Sequence, residues 1–449
     1  MAFRGQLQRE FRSLLDLAVP LVLGELGWMT MSLVDTMMVG RVSKEAIGAV
    51  SLGGMLFYAV AVIGMGILLG LDTLVSQSYG AGNTQDCHHS LIQALYLCLP
   101  LAPLLMGLQW CWSLLLAPFG VHPAVIAETT PYLKAIMWST FPLLLYAAMR
   151  RYLQGMNLVK PVMFALISAN LVNAGANWVL IFGNLGFPAY GAAGAGWATC
   201  ISRVYMALVL VVYIYIAERK GLGLMRANWS LDLERIRRLV SLGLPAATQI
   251  VVEVGVFALV TVLIGKLEPR FLAAHQIAIS AASFTYMVPL GLGAAAAVRV
   301  GQAIGRRDGA GAGRAGWAAM TLGGATMSWF GLMFLLAPGW VARVFTTDPE
   351  VITAAGSMLA VAAVFQLFDG LQGVATGALR GAGDTRTAAA SHLIGYWVIG
   401  LPLGYYLCFS VGWGAVGLWA GLCLSLIAIG VVLTGAWWRM AKRICASYP

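Results

Sequence analysis

The order of hydrophobic and polar positions predicts a chain of membrane-spanning helices. A spanning helix needs about 20 consecutive residues that are mostly apolar. Twelve such stretches follow one another, separated by short polar or Gly/Pro-rich breaks. Their approximate bounds are 14–39, 47–77, 90–117, 126–153, 161–183, 191–217, 236–265, 271–302, 314–338, 351–379, 387–410 and 415–438. The pattern therefore predicts an all-α integral membrane protein with twelve transmembrane helices.

Composition supports the same class. Hydrophobic residues make up 60% of the chain and charged residues only 10%, with a mean hydropathy of +0.82. A water-soluble domain carries far more charge on its surface. Seven scattered cysteines show neither close pairs nor C-x-x-C spacing, so neither a disulfide framework nor a zinc site is predicted.

The distribution of basic residues predicts the orientation. A net charge of +10 is compatible with a nucleic-acid partner, but most basic residues fall in the alternate loops that share a side with both termini. The opposite side holds only Arg41, Lys44, Lys266, Arg270 and Arg343. This is the positive-inside pattern. We therefore expect a multi-pass protein of the cell inner (plasma) membrane, surrounded by lipids, with both termini cytoplasmic and no nucleic-acid partner.

The chain also contains an internal duplication. An offset near 225 aligns residues 77–80 with 302–305 and residues 153–155 with 379–381, with two further matches in the same order. Matches at one offset identify a repeat. Each repeat contains six spans, so the two are expected to be parallel lobes with a substrate cavity between them. The predicted domains are an N-lobe (1–217), a cytoplasmic linker (218–235) and a C-lobe (236–449).

The motifs that the chain lacks limit the possible energy sources for transport. No G-x-x-x-x-G-K-[ST] phosphate loop occurs, and no loop is long enough to form a nucleotide-binding domain. The glycine-rich segments 191–196 and 309–313 follow no strand and are typical of close helix packing and loops. We expect transport to draw on an H⁺ or Na⁺ gradient, with no cofactor other than the coupling ion.

Three carboxylates inside predicted spans are the leading functional candidates: Asp35, Glu253 and Asp369. An ionisable group at bilayer depth costs roughly 2.5–3.5 kcal/mol on insertion scales. Such a group is retained mainly where it handles an ion, a proton or a substrate. The carboxylates therefore indicate a transporter.

One constellation is expected in the N-lobe around Asp35. Asn170, Asn173 and Asn177 recur at i, i+3 and i+7, which places three amides on one face of an otherwise apolar helix. With Thr199 on the next helix, they would supply oxygen atoms suited to Na⁺, or to a proton held on Asp35. Hydrogen bonding between helices is the alternative role for these amides and hydroxyls.

A second constellation is expected in the C-lobe. Gln249 and Glu253 lie one turn apart on one helix, and Gln366 and Asp369 share a face of another. Two carboxylates on facing helices in a low dielectric repel each other, which favours binding of a proton or of Na⁺. No Lys or Arg lies within either span, which argues against a structural ion pair.

Three further polar residues are weaker candidates. Glu25 and Asp72 lie within predicted spans and are compatible with either a functional or a structural role. His275 begins a predicted span, where a lone histidine is more often a hydrogen-bonded scaffold residue than a ligand.

We also expect a hydrophobic cavity that binds flat cationic compounds. Aromatic and Met side chains hold such compounds through cation–π and thioether contacts. The candidates for its lining are Glu25, Trp28, Tyr286 and Met287.

Several stretches resemble one transporter family. They are VDTMMVG (34–40), LDTLVSQSYGAGN (71–83), AAHQIA (273–278), VRVGQAIG (298–305) and GALRGAGD (377–384). Together with the helix count and the spacing of the motifs, they resemble the multidrug and toxic compound extrusion (MATE) family over essentially the whole chain.

The resemblance implies a V-shaped pair of six-helix bundles that exports organic cations and other amphipathic drugs by alternating access, in exchange for H⁺ or Na⁺. The two C-lobe carboxylates match the cation site of the NorM-like branch. Asp35, Asn173, Asn177 and Thr199 match the N-lobe site of prokaryotic members. Asp72 is more like the eukaryotic relatives, which leaves the coupling ion open.

Other interpretations stay open at this stage. A flippase for lipid-linked oligosaccharide or peptidoglycan precursors would be expected to have extra helices and a cationic cavity. A major-facilitator transporter would have a basic motif after helix 2, where this chain has GAGNTQD. A membrane-embedded enzyme is disfavoured because the five histidines are dispersed, and a channel fits the duplication less well than alternating access. Nothing in the sequence indicates an obligate oligomer, so we expect a monomer without enzyme activity.

Overall fold

The structure, a computed structural model, describes residues 2–116, 118 and 123–448, and every regular element within those ranges is helical. The predicted all-α class is confirmed. The chain divides into two compact units. We call Leu23–Ala247 the N-unit, and Met1–Val22 together with Thr248–Pro449 the C-unit.

The N-unit contains most of the first half of the chain. Its helices are the second part of α1 (Ala2–Val39), α2 (Lys44–Leu68), α3 (Gly70–Gly80), α4 (Thr84–Leu115), α5 (Pro123–Met137), α6 (Thr140–Gly155), α7 (Val159–Phe182), α8 (Gly191–Arg219) and the first part of α9 (Leu233–Ile264). Side-chain caps define where helices begin, since Ser43 accepts from the Ala46 N–H and Asn83 accepts from the Asp86 N–H.

The C-unit contains the remaining helices. They are the first part of α1, the second part of α9, α10 (Pro269–Gly305), α11 (Gly309–Leu336), α12 (Pro338–Arg343), α13 (Pro349–Gly381), α14 (Arg386–His392), α15 (Leu401–Tyr405) and α16 (Gly414–Ser447). Two π-helical segments, Leu393–Gly400 and Tyr406–Ser410, continue α14 and α15. Such wide turns are rare and are often found at functional sites.

Small residues let the C-unit helices approach closely. A Cβ atom added to Gly293 of α10 would lie only 2.7 Å from the carbonyl oxygen of Gly373 in α13. Gly377 faces the same part of α10 one turn later. Glycine at such crossings is typical of membrane proteins, where association depends on packing and not on the exclusion of water.

Eleven helices within the described ranges are long enough and apolar enough to cross a membrane. They correspond to eleven of the twelve predicted spans. The stretch predicted as one span at 126–153 contains a short break, because α5 ends at Met137 and α6 begins at Thr140. Each of these two helices is shorter than a full span. Arg203 of α8 donates to the Ser139 hydroxyl at this break, at 2.6 Å, and gives it a polar partner.

The boundaries of the two units lie inside helices. One falls between Val22 and Leu23 of α1 and the other between Ala247 and Thr248 of α9. Close packing explains both. A Cβ on Gly291 would meet the Val22 backbone within the C-unit, and a Cβ on Gly66 would lie 2.5 Å from the Ala247 Cα within the N-unit. The predicted domain limits at 217/218 and 235/236 therefore stay a sequence-based division, and the contact-based units divide the chain elsewhere.

The predicted linker is docked on the N-unit. Four side chains in the first part of α4 hydrogen-bond to its backbone carbonyls, at 2.7 to 3.0 Å. The bonds join His88 to Leu222, His89 to Asn228, Gln93 to Ser230 and Tyr96 to Trp229. Asp232 then accepts from the Arg235 backbone N–H and caps the start of α9. The linker is thus an ordered part of this unit.

Candidate functional site

The N-unit holds a buried carboxylate cluster at Asp35. The Asp35 side chain on α1 is only 8% exposed, and both of its oxygens accept hydrogen bonds. Asn177 of α7 donates at 2.5 Å, and Thr199 of α8 donates at 2.9 Å. Asn177 also donates to Asn173 at 3.1 Å, so three helices converge on one carboxylate, as the sequence predicted.

Arg203 of α8 is a charged residue that was not among the predicted site residues, and it interacts electrostatically with Asp35. Its guanidinium is buried and packs against the ring of Phe57, at 4.5 Å from the ring centroid, and near Trp28, at 5.9 Å. Arg203 follows Thr199 by four residues, so both project from the same face of α8. That spacing was the signal that could have revealed it.

The C-unit holds the second carboxylate cluster. Glu253 of α9 lies 3.9 Å from the Nε2 atom of His392 on α14, and Gln249, one turn before it, lies 3.5 Å from the same nitrogen. Asp369 of α13 accepts a hydrogen bond from Gln372 at 3.1 Å. The predicted Gln249, Glu253 and Asp369 therefore share one network, but two residues absent from the prediction, His392 and Gln372, connect them.

Gln372 is the junction of this network. Its Nε2 atom donates to Asp369 and, at 3.2 Å, to the Tyr286 hydroxyl of α10. Its Oε1 atom lies 2.8 Å from His392 Nε2. Gln372 and His392 are both fully buried. The C-unit thus surrounds its two carboxylates with hydrogen-bonding side chains from four helices.

No group of three or more His, Cys, Asp or Glu side chains in the described part of the chain has the geometry of a metal site. The side chains around the carboxylates are amides, hydroxyls and an imidazole.

A family model described as MatE matches residues 20–179 and 245–406, which together make up more than half of the chain. The chain belongs to the MATE family. The two matches start 225 residues apart, at residues 20 and 245, which agrees with the offset of the internal repeat. Members of this family are transporters, so the chain is a multi-span membrane transporter and not an enzyme.

Full-length relatives support this assignment. A probable multidrug resistance protein NorM of Mesorhizobium japonicum is 34% identical over 440 residues, covering 96% of this chain and 94% of the relative. The multidrug resistance protein NorM of Aliivibrio fischeri is 31% identical over 433 residues, covering 95% of this chain and 94% of the relative. The resemblance to the NorM-like branch is confirmed.

Solved MATE structures share the fold. The eukaryotic MATE transporter AtDTX14 has a TM-score of 0.86 at 22% identity, with 98% of each chain covered. A MATE transporter in the bent conformation has a TM-score of 0.85 at 19% identity, covering 98% of this chain and 97% of the other. At these identities the likeness establishes the MATE fold alone.

Two residues that the helix spacing predicted near the carboxylates have other hydrogen-bond partners. Gln366 lies three residues before Asp369 on α13, yet it donates to the Thr285 hydroxyl at 2.9 Å. Asn170 donates to the Leu166 carbonyl of its own helix at 2.9 Å. Of the three amides on this face of α7, those of Asn173 and Asn177 therefore belong to the Asp35 cluster, and that of Asn170 bonds within its own helix.

Glu25 and Asp72 both have arginine partners on α6. Glu25 forms an ion pair with Arg150, and Asp72 lies 3.5 Å from Arg151. All four side chains are largely buried. The placement of Glu25 in a drug cavity stays a prediction, and the geometry gives it and Asp72 a role in joining α1, α3 and α6.

Both ring nitrogens of His275 have hydrogen-bond partners within the C-unit, while its scaffold role stays a prediction. Trp419 Nε1 donates to its Nδ1 atom at 3.1 Å, and Thr261 Oγ1 lies 2.8 Å from its Nε2 atom. The Thr261 hydroxyl hydrogen is already donated to the Phe257 carbonyl, so the His275 Nε2–H must donate to Thr261. Both ring nitrogens are therefore satisfied in a neutral imidazole.

The aromatic candidates lie in different units. Trp28 belongs to the N-unit and packs beside Arg203. Tyr286 and Met287 belong to the C-unit, where both are partly buried and Tyr286 accepts from Gln372. Their contribution to a drug cavity stays a prediction.

Proposed function

We propose that this MATE family member is a secondary active multidrug efflux antiporter, which exports organic cations and other amphipathic drugs in exchange for H⁺ or Na⁺ by alternating access. The observation that carries the proposal is the presence of one buried carboxylate cluster in each unit, centred on Asp35 and on Glu253 with Asp369. The multidrug resistance proteins NorM among its relatives support the substrate class.

The N-unit cluster supports binding of a coupling ion at Asp35. A buried carboxylate is costly unless it is hydrogen-bonded or neutralised. Asn177 and Thr199 supply two bonds, which hold the carboxylate in one orientation while it is ionised. A proton or Na⁺ that reaches Asp35 competes with these bonds and changes which helices it ties together.

The C-unit cluster supports a second coupling site. Glu253 and Asp369 place two acidic groups in one buried network, so the site gains stability when a cation or a proton reduces its negative charge. Occupation of either cluster from outside favours release of drug to the outside and return to the inward-facing state.

Coupling requires the ion and the drug to bind the two states unequally. Moving a two-state equilibrium from 1:99 to 99:1 takes roughly 5.5 kcal/mol of differential binding. Neutralising buried carboxylates in two units offers energies of this order, because each one costs several kcal/mol when it loses its partners. No nucleotide is needed in this scheme.

The surroundings of the protein are part of the proposal. The bacterial relatives support a place in the inner membrane. The basic loops support cytoplasmic termini. We also expect a monomer that binds drugs and lipids and no nucleic acid.

The test is efflux of a fluorescent organic cation from proteoliposomes that contain the full-length chain, with a pH gradient or a Na⁺ gradient imposed separately. Gradient-driven movement is expected, and the effective gradient names the ion. The Asp35→Asn, Glu253→Gln double variant should abolish coupled efflux, while Glu350→Gln, at an exposed carboxylate, should leave it unchanged. Movement under neither gradient would refute drug antiport and favour a lipid-linked substrate.

A further inference from the structure

The hydrogen-bond partners of His392 determine which of its ring nitrogens carry a proton. The imidazole is fully buried at the end of α14, and its Nδ1 atom lies 2.8 Å from the Ala388 carbonyl. A carbonyl oxygen only accepts, so Nδ1 must carry a hydrogen. Whether Nε2 also carries one depends on the group that it faces, which is Gln372 at 2.8 Å.

The Gln372 amide faces different partners at its two ends. In the observed orientation its NH₂ group points to Asp369 and Tyr286, and its oxygen points to His392. An ionised Asp369 requires this orientation because a carboxylate only accepts. The amide oxygen then requires a hydrogen on His392 Nε2, which makes the ring an imidazolium.

The opposite orientation is also self-consistent. A neutral Asp369 can donate its carboxyl hydrogen to the Gln372 oxygen, and the NH₂ group then points to His392. In that arrangement Nε2 must accept, so the imidazole is neutral. One rotation of a fully buried amide therefore changes the states of both neighbours together.

We propose that Gln372 and His392 are positioning residues of the C-unit coupling site, in which rotation of the Gln372 amide links the charge of Asp369 to the protonation of His392. The inference rests on the proposed function, because it explains how one coupling event reaches both carboxylates. A residue that only filled space in the core would not need both of its polar ends to match.

The proton balance follows from these two states. One external proton binds the Asp369 carboxylate, the Gln372 amide rotates, and the Nε2 proton of His392 passes to Glu253 Oε2, which lies 3.9 Å away. The network starts with one excess negative charge and ends with none. A single proton thus neutralises both carboxylates, and His392 becomes neutral.

Two further side chains lie beside the His392 ring. Tyr396 packs edge-on, with 5.7 Å between ring centroids, and Gln249 lies 3.5 Å from Nε2. Neither supplies a carboxyl group. In the described part of the chain, the titratable groups around the ring are Glu253, Asp369 and the hydroxyls of Tyr286 and Tyr396, and Arg380 is a cation that acts on Tyr286.

Nitrogen NMR of the full-length chain with labelled histidine, in lipid bilayers without Na⁺, tests the proposal. Spectra are taken at a pH where infrared spectroscopy shows no carboxyl band for Asp369. The wild type should show two protonated ring nitrogens at His392, and Asp369→Leu, which removes both the charge and the hydrogen-bond acceptor, should show one. His275 is the internal control and should show one protonated nitrogen in both samples.

A second variant tests the role of the amide. Gln372→Met removes both polar ends at similar size, so His392 should have one protonated nitrogen whether or not Asp369 is present. Efflux should fall roughly 10- to 100-fold, as expected for lost hydrogen bonds to charged groups.

The outcomes separate this inference from the proposed function. A wild-type protein that moves drug while His392 holds a single ring proton, at a pH where Asp369 is ionised, overturns the inference and leaves the antiporter intact. The inference also fails if Asp369→Leu leaves both nitrogens protonated. These two results need no Gln372 variant, so they decide the matter even if Gln372→Met does not fold.

Discussion

Replacing Gly293 by alanine is expected to push α10 and α13 apart next to the C-unit network. The new Cβ would lie 2.7 Å from the Gly373 carbonyl oxygen, roughly 0.8 Å or more inside ordinary van der Waals contact. The neighbouring atom belongs to the backbone, so no side-chain rotation relieves the clash. Gly373 directly follows Gln372, so the displacement reaches the carboxylate network.

The expected cost is that of overpacking, about 1–3 kcal/mol. Gly435→Ala on α16 is the matched control, because a Cβ there meets nothing within 4 Å. In that helix the added methyl group should stabilise by about 0.5–1 kcal/mol. The two variants should therefore differ by about 1.5–4 kcal/mol in the free energy of unfolding.

Thermal and denaturant unfolding in one detergent measures this difference, and drug efflux measures its effect on coupling. Gly293→Ala should unfold earlier than the wild type and transport more slowly, while Gly435→Ala should do neither. Equal unfolding midpoints for the two variants would refute the argument that close contact at this crossing holds the network together.

Three further predictions concern the N-unit. Asn177→Leu should slow efflux about tenfold or more, since it removes a hydrogen bond to a buried carboxylate, while Asn170→Leu should transport normally in the same vesicle assay. Arg150→Met should cost about 3–5 kcal/mol in unfolding free energy by stranding Glu25, and adding Glu25→Leu should recover most of the loss; a double variant no better than the single one would contradict this. Hydrogen bonding to the first backbone N–H groups of α9 lowers the pKa of Asp232. Its contribution to the stability of the linker is therefore present above the usual pKa of an aspartate and is lost as the pH falls through the lowered value. Hydrogen exchange in the linker should rise over that range, and Asp232→Asn should remove the pH dependence.

Much of the architecture could be predicted because hydrophobic length and repetition are properties of the sequence itself. The spans and the duplication follow from them directly. The break after α5 was not predicted, because Ser139 and Thr140 are too few polar residues to interrupt an apolar stretch of spanning length. Ser139 followed by Pro142 was the available signal, since a polar residue and a proline often mark the start of a helix.

The carboxylates were also predictable because an acidic residue in an apolar span stands out. The residues that contact these carboxylates were harder to predict from the sequence. Arg203, near Asp35, had a clear spacing signal, since it lies four residues after Thr199. His392 lies 139 positions after Glu253, and no helical period connects residues on separate helices. Only the packing of α9, α13 and α14 brings them together.

The positions of the unit boundaries have a consequence for how such a chain can arise and be divided. Each unit needs the opening segment of the other half: Met1–Val22 completes the C-unit, and the start of α9 up to Ala247 completes the N-unit. A gene divided in the linker would encode two fragments. Each fragment would lack the opening segment that completes its own unit and would carry the segment that completes the other unit. A single ancestral repeat would have been complete only by exchanging the first part of its first helix with a second copy, so gene fusion would have made an existing exchange permanent.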